Sequence, residues 1–106
     1  MIDEWNNCLR NFAKFPALSV KRNNKWITLS FEEYYNECMK FAKSLLALNL
    51  PEFSTVTIIG FNSPEWLISF FGAVFARCIP AGIYQTNSQE TCEYIIRHSE
   101  STIVVA

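Results

Sequence analysis

Between residues 31 and 48 apolar side chains recur at helical spacing, at Phe31, Tyr34, Tyr35, Cys38, Phe41, Ala42, Leu45 and Leu48, with Lys40 and Lys43 on the opposite side. Ser30 stands just before this stripe and Glu33 three residues after it, the pairing of a capping box, so the pattern predicts a helix to about Leu48. Asn49 suits its end, and Pro51 bars continuation. Upstream, Trp5, Cys8, Leu9 and Phe12 share one side of a short helix expected over residues 3–13 and stopped by Phe15-Pro16. Between the helices the period falls to two. Ala17–Lys21 and Trp26–Leu29 then read as strands joined through Arg22, Asn23, Asn24 and Lys25, where asparagine tolerates the left-handed backbone of a tight hairpin.

Past Ser54 the chain changes character. Thirteen charged residues occupy positions 1–53, and only Glu65 and Arg77 occur from Ser54 to Gln89. Thr55–Ile59 is a β-branched run ending at Gly60, a buried-strand pattern. Ser63 is placed to cap a second helix, with Pro64 in its first turn and Glu65 at the positive end of its dipole. From Trp66 to Ala76 that helix is apolar almost all round and needs cover on several sides. Cys78–Ile83 reads as a strand, Asn87 with Glu90 as the start of a helix to about Arg97, and Thr102–Val105 as a last strand. The string Asn62-Ser63-Pro64-Glu65 returns 25 positions later as Asn87-Ser88-Gln89-Glu90, which is repeated capping chemistry.

Strands apolar along their length that alternate with helices require a parallel sheet with right-handed crossovers. The expected class is therefore α/β: an N-terminal helix and small β-hairpin with an amphipathic helix over 1–53, then a βαβαβ unit over 54–106. The strand Ile103-Val104-Val105-Ala106 closes the sequence without a covering helix. That pattern leads us to expect part of a larger α/β protein, with one sheet face and at least one edge uncovered.

Composition narrows the classes further. Nine Lys and Arg against ten Asp and Glu give a net charge of -1, and half the residues are apolar. So apolar a chain is not intrinsically disordered, and its overall charge supplies no long-range pull toward nucleic acid or an acidic membrane. Cys8, Cys38, Cys78 and Cys92 lack metal-ligand spacing, and Asp3 and Glu4 sit where a secretory leader would be basic. Reduced thiols in the cytosol, or on a surface facing it, are the expectation. Trp66–Tyr84 carries a single charge over 19 residues, yet Arg77 near its centre costs about 2.5–3.5 kcal/mol in a bilayer, so no membrane span is expected.

Chemistry in a doubly wound sheet belongs beyond the carboxyl ends of the strands, here Gly60–Ser63 and Tyr84–Ser88. A single glycine before Ser63 is neither a dinucleotide fingerprint nor a phosphate loop, so Ser63 is read as a cap and its helix start is not taken for an anion site. His98 has no partner at a diagnostic spacing, and Glu32 and Glu33, being adjacent on a helix, point apart. Tyr34-Tyr35 and Phe70-Phe71 read as core. No catalytic, cofactor-binding or metal residue is assigned.

The segment Val56-Thr57-Ile58-Ile59-Gly60-Phe61-Asn62-Ser63-Pro64-Glu65-Trp66, then Gly72-Ala73 and Ala81-Gly82-Ile83-Tyr84 with Thr86-Asn87-Ser88, resembles the N-terminal region of adenylate-forming, AMP-binding enzymes. It is most similar to the bubblegum type of long-chain acyl-CoA synthetase, as are Pro16-Ala17-Leu18, Lys25-Trp26 and Tyr34-Tyr35 with Ala42-Lys43-Ser44-Leu45. Arg77-Cys78-Ile79-Pro80 departs from the small, Gly-rich stretch common in that subgroup. The resemblance implies a long-chain fatty-acid–CoA ligase that uses ATP, Mg2+ and coenzyme A in its full-length form. It also implies a cytoplasmic protein that associates peripherally with the endoplasmic reticulum membrane. The family's phosphate loop, ribose-binding carboxylate and C-terminal lysine lie beyond the part resembled. No site residue is therefore carried over, and the isolated chain is expected to be inactive and to bind none of the cofactors. The competing reading is a non-catalytic α/β interaction module that binds a partner through its uncovered sheet face.

Overall fold

The computed structural model describes all 106 residues, Met1–Ala106. Its elements follow the expected order: α1 (Ile2–Phe12), β1 (Pro16–Arg22), β2 (Lys25–Ser30), α2 (Phe31–Ala47), β3 (Thr55–Ile59), α3 (Pro64–Phe75), β4 (Ile79–Ile83), α4 (Gln89–His98) and β5 (Ser101–Val105). β1 and β2 pair antiparallel, and Asn23 and Asn24 turn the hairpin with φ of 51° and 59°, the double left-handed step of a type I′ turn. At the start of α2 the Glu33 amide donates to Ser30 Oγ at 3.2 Å while the Ser30 amide donates to the Glu33 carboxylate at 2.8 Å. Asn49, with φ 53°, closes that helix.

β3, β4 and β5 form a parallel sheet in the order β4-β3-β5. Val56 and Ile58 on β3 project to one face, where Ala42 and Leu45 of α2 and Ala73 and Ala76 bury them. Each such aliphatic side chain removed from water contributes about 1.5–3 kcal/mol. α2 and α3 approach closely because Gly72 has no Cβ: one built there would lie 2.9 Å from the Cys38 carbonyl oxygen and 2.6 Å from the Phe41 ring. A second core joins α1 to this pair. Trp5 meets Tyr34 edge-on at 5.1 Å and Phe71 at 5.6 Å, with Cys38 fully buried beside them.

Two expectations are corrected. The cap of α4 is Ser88, not Asn87: Ser88 Oγ accepts the Thr91 amide at 3.2 Å, as Ser63 Oγ accepts the Trp66 amide at the same distance. Both strings thus repeat a serine cap, since the hydroxyl must stand three residues before the amide it receives. Next, neither sheet face is left wholly uncovered. Thr57 and Ile83 project away from Val56 and Ile58 and are nonetheless buried, at 0% and 4% exposure. From β3 the chain moves to β4 on one side and then back across to β5 on the other, so right-handed crossovers set α3 and α4 on opposite faces. The cover from α4 is partial. Ile79 and Val104 stay about half exposed, and the outer edges of β4 and β5 are unpaired. Arg77, just past α3, stops the helix through its backbone. Its φ is 61°, its carbonyl accepts the Phe53 amide at 2.9 Å, and its guanidinium pairs with Glu52. Residues 66–84 are divided between α3, this turn and β4, and no helix is long and apolar enough to cross a membrane.

Candidate functional site

The carboxyl ends of β3 and β4 bring the two predicted loops together around a cleft of about 570 Å³. Trp66, in the first turn of α3, forms its floor. A Cβ on Gly60 would sit 3.9 Å from the indole Cδ1, and one on Gly82 would sit 3.3 Å from Cζ2. Two strand ends without side chains therefore seat the ring, which stacks on Phe70 at 5.7 Å and 15°. Phe61 and Tyr84 stand at the rim, largely exposed, and Asn62, Gln85 and Thr86 supply neutral polar groups. No charged side chain lines the cleft. Its chemistry is aromatic contact and neutral hydrogen bonding, with no carboxylate, imidazole, thiol or amine in its lining.

The remaining candidates are committed elsewhere or stand apart. Ser63 Oγ accepts the Trp66 amide, so the cap consumes one of the free donors that an anion would need, and Pro64 has none to offer. Glu65 turns toward the hairpin and pairs with Arg22 at 2.6 Å, and the hydrogen bond from that guanidinium holds its carboxyl below the usual range. Glu32 pairs with Lys14 while Glu33 completes its capping box, so the two carboxylates do diverge. His98 stacks on Tyr94 at 5.4 Å, at the carboxyl end of α4 and away from the cleft. All four cysteines are free. Burial pushes the Cys38 thiol up to about 12, and it raises Tyr34 and Cys78 as well.

Two features were not read from the sequence. The helical pattern places Trp66 on a packed face, whereas it also floors the cleft; the signal is a glycine near the end of each strand, at Gly60 and Gly82. The Thr57 hydroxyl is fully buried with no hydrogen-bond partner, and no local pattern marks it.

A nucleoside triphosphate with Mg2+ requires cations or a cradle of amides and hydroxyls for the phosphates, and oxygen ligands for the metal. The cleft has no cation, and no three His, Cys, Asp or Glu side chains converge anywhere in the chain. The cleft therefore offers no cation for the phosphates, and the chain no ligand cluster for the metal.

The sequence profile of the family described as AMP-binding enzyme matches residues 5–106. The long-chain-fatty-acid–CoA ligase ACSBG2 of Homo sapiens is 45% identical over 101 residues, which cover 95% of this chain and 15% of that protein. The long-chain-fatty-acid–CoA ligase ACSBG1 of Rattus norvegicus is 42% identical over 97 residues, covering 92% and 14%. The chain thus spans about 15% of the length of these curated relatives. Among solved structures, the anthranilate CoA ligase AuaEII in complex with anthranoyl-AMP superposes with a TM-score of 0.82 at 26% identity, over 97% of this chain and 19% of that one. The fatty acid AMP ligase from Legionella pneumophila gives 0.86 at 17% identity, over 97% and 18%, a likeness of fold.

Proposed function

Because this chain belongs to the AMP-binding enzymes, we propose that it is the N-terminal portion of a long-chain-fatty-acid–CoA ligase. The observation that carries this reading is the 45% identity to a ligase of that name, sustained over 95% of the chain. In the whole enzyme a fatty carboxylate attacks ATP at its α-phosphorus and expels pyrophosphate. The thiol of coenzyme A then attacks the acyl carbon and expels AMP. The first step is needed because a carboxylate oxygen leaves poorly and AMP leaves well. Mg2+ accompanies the ATP. None of these 106 residues is assigned a part in either step, since the cleft has no group suited to the phosphates or the metal. Their contribution is a scaffold: α2 and α3 packed on a parallel sheet that the rest of the enzyme extends. The four free thiols support a cytoplasmic location.

The test is a chimera in which this chain replaces the matching segment of human ACSBG2. We expect it to form acyl-CoA from palmitate, ATP and coenzyme A, and we expect the 106-residue chain alone to give no ATP–pyrophosphate exchange. A folded chimera without ligase activity, or exchange by the isolated chain, refutes the proposal.

A further inference from the structure

Helix α1 is anchored in the body of the protein chiefly by one side chain. Trp5 is the only buried residue of its eleven, and the indole meets four rings: Tyr34 and Tyr35 of α2 at 5.1 and 5.8 Å, and Phe71 and Phe75 of α3 at 5.6 and 5.9 Å. The polar groups of the helix bond only among themselves, Asn11 to Asn7 and the amino group of Met1 to Glu4, and no side chain caps its amino end. The three residues after it are fixed differently. The carbonyls of Ala13 and Phe15 accept the amides of Glu32 and Phe31, and Lys14 pairs with Glu32, which clamps this stretch to the start of α2. Polar attachment therefore begins at Ala13. A free helix of eleven residues is marginal in water, so α1 keeps its shape only while its indole is seated.

Under the indole lies a second element of the same cluster. Cys38 stands one turn along α2 from Tyr34, packs in one group with Trp5 and Tyr34, and has no exposed surface. The rest of the molecule closes without α1: the other core joins α2 and α3 to β3 through Ala42, Leu45, Val56 and Ala73, and only Phe75 borders both groups. Two clusters with so little in common can open at different free energies. We propose that α1 is a latch: it undocks from α2 and α3 as a unit, with Ala13 as the hinge and Trp5 as the catch, and uncovers the aromatic socket and the Cys38 thiol while the sheet core stays folded.

The test follows alkylation of Cys38 by iodoacetamide in the 106-residue chain, resolved from Cys8, Cys78 and Cys92 by peptide mass. Urea below the unfolding transition should barely change the rate, because a local opening exposes little surface. Trp5→Phe should speed the reaction about five- to tenfold, the worth of one aromatic contact. Ile58→Val loosens the sheet core by a similar amount and should leave the rate unchanged. Hydrogen exchange supplies the second readout: the amides of α1 should exchange together, and faster than those of β3. Both substitutions are conservative, and circular dichroism checks that each variant is folded. Four results overturn the proposal: no labelling of Cys38 before the unfolding transition, labelling that climbs with urea in step with β3 exchange, equal acceleration by the two variants, or a rate that Trp5→Phe does not change.

Discussion

Substituting alanine for Gly72 sets two effects against each other. In a free helix the change stabilises by about 0.5–1 kcal/mol, because glycine loses more backbone freedom on folding. Here the new methyl would lie 2.9 Å from the Cys38 carbonyl oxygen and 2.6 Å from Phe41 Cδ1. Rotating the phenyl ring moves Cδ1 but leaves Phe41 Cβ at 3.0 Å. The carbonyl belongs to the backbone of α2 and cannot retreat unless the helices part, and parting them opens the core of Ala42, Leu45, Val56 and Ala73. Overpacking of this kind costs about 1–3 kcal/mol. Subtracting the helix gain leaves a net loss of about 0–2.5 kcal/mol, centred near 1 kcal/mol, or roughly 4–8 °C in melting temperature at that centre for a chain of this size. Urea unfolding followed by circular dichroism measures it. Gly60→Ala is the control, because a Cβ there meets only the Trp66 ring at 3.9 Å and its φ is not positive, so its midpoint should barely move. A Gly72→Ala protein as stable as the parent or more so would show that α2 and α3 do not cross this closely.

Arg77→Gly should stabilise the chain by about 1 kcal/mol, since φ of 61° suits glycine, whereas Arg77→Ala should not; an equal effect of the two would point to the Glu52 pair instead of the backbone. Ser88→Ala should cost about 1 kcal/mol and Asn87→Ala much less, and the reverse order in thermal melts would restore Asn87 as the cap of α4. Cys38 is raised from 9.0 to about 12 by burial, and Tyr34 is raised by the same cause. Between pH 9 and about 12 the unfolded chain therefore releases a Cys38 proton that the folded chain keeps, so stability is full below pH 9 and falls as pH climbs through that window. Urea midpoints that stay level from pH 8 to pH 11 contradict it.

Much of the fold is legible locally. The Ser30–Glu33 box, the Asn23-Asn24 turn and the Ser63-Pro64 start each depend on groups within three or four residues, so the string alone reveals them. The same holds for the two loops at the strand ends, which follow from recognising parallel strands, and they do meet at the cleft. Misreadings arose where two neighbouring residues compete for one local role, as Asn87 and Ser88 do, since only coordinates tell which oxygen reaches the amide.

What the sequence determined by itself was the kind and order of elements and their ends, because capping, turn chemistry and hydrophobic period act over single turns of chain. The tertiary structure alone decided that Thr57 is buried on the face opposite Val56, that Trp66 lies between Gly60 and Gly82, and that Gly72 meets the backbone of Cys38. Trp66 and Gly82 stand 16 positions apart and Cys38 and Gly72 34, and they meet only once the parallel sheet and the helices packed on it have assembled.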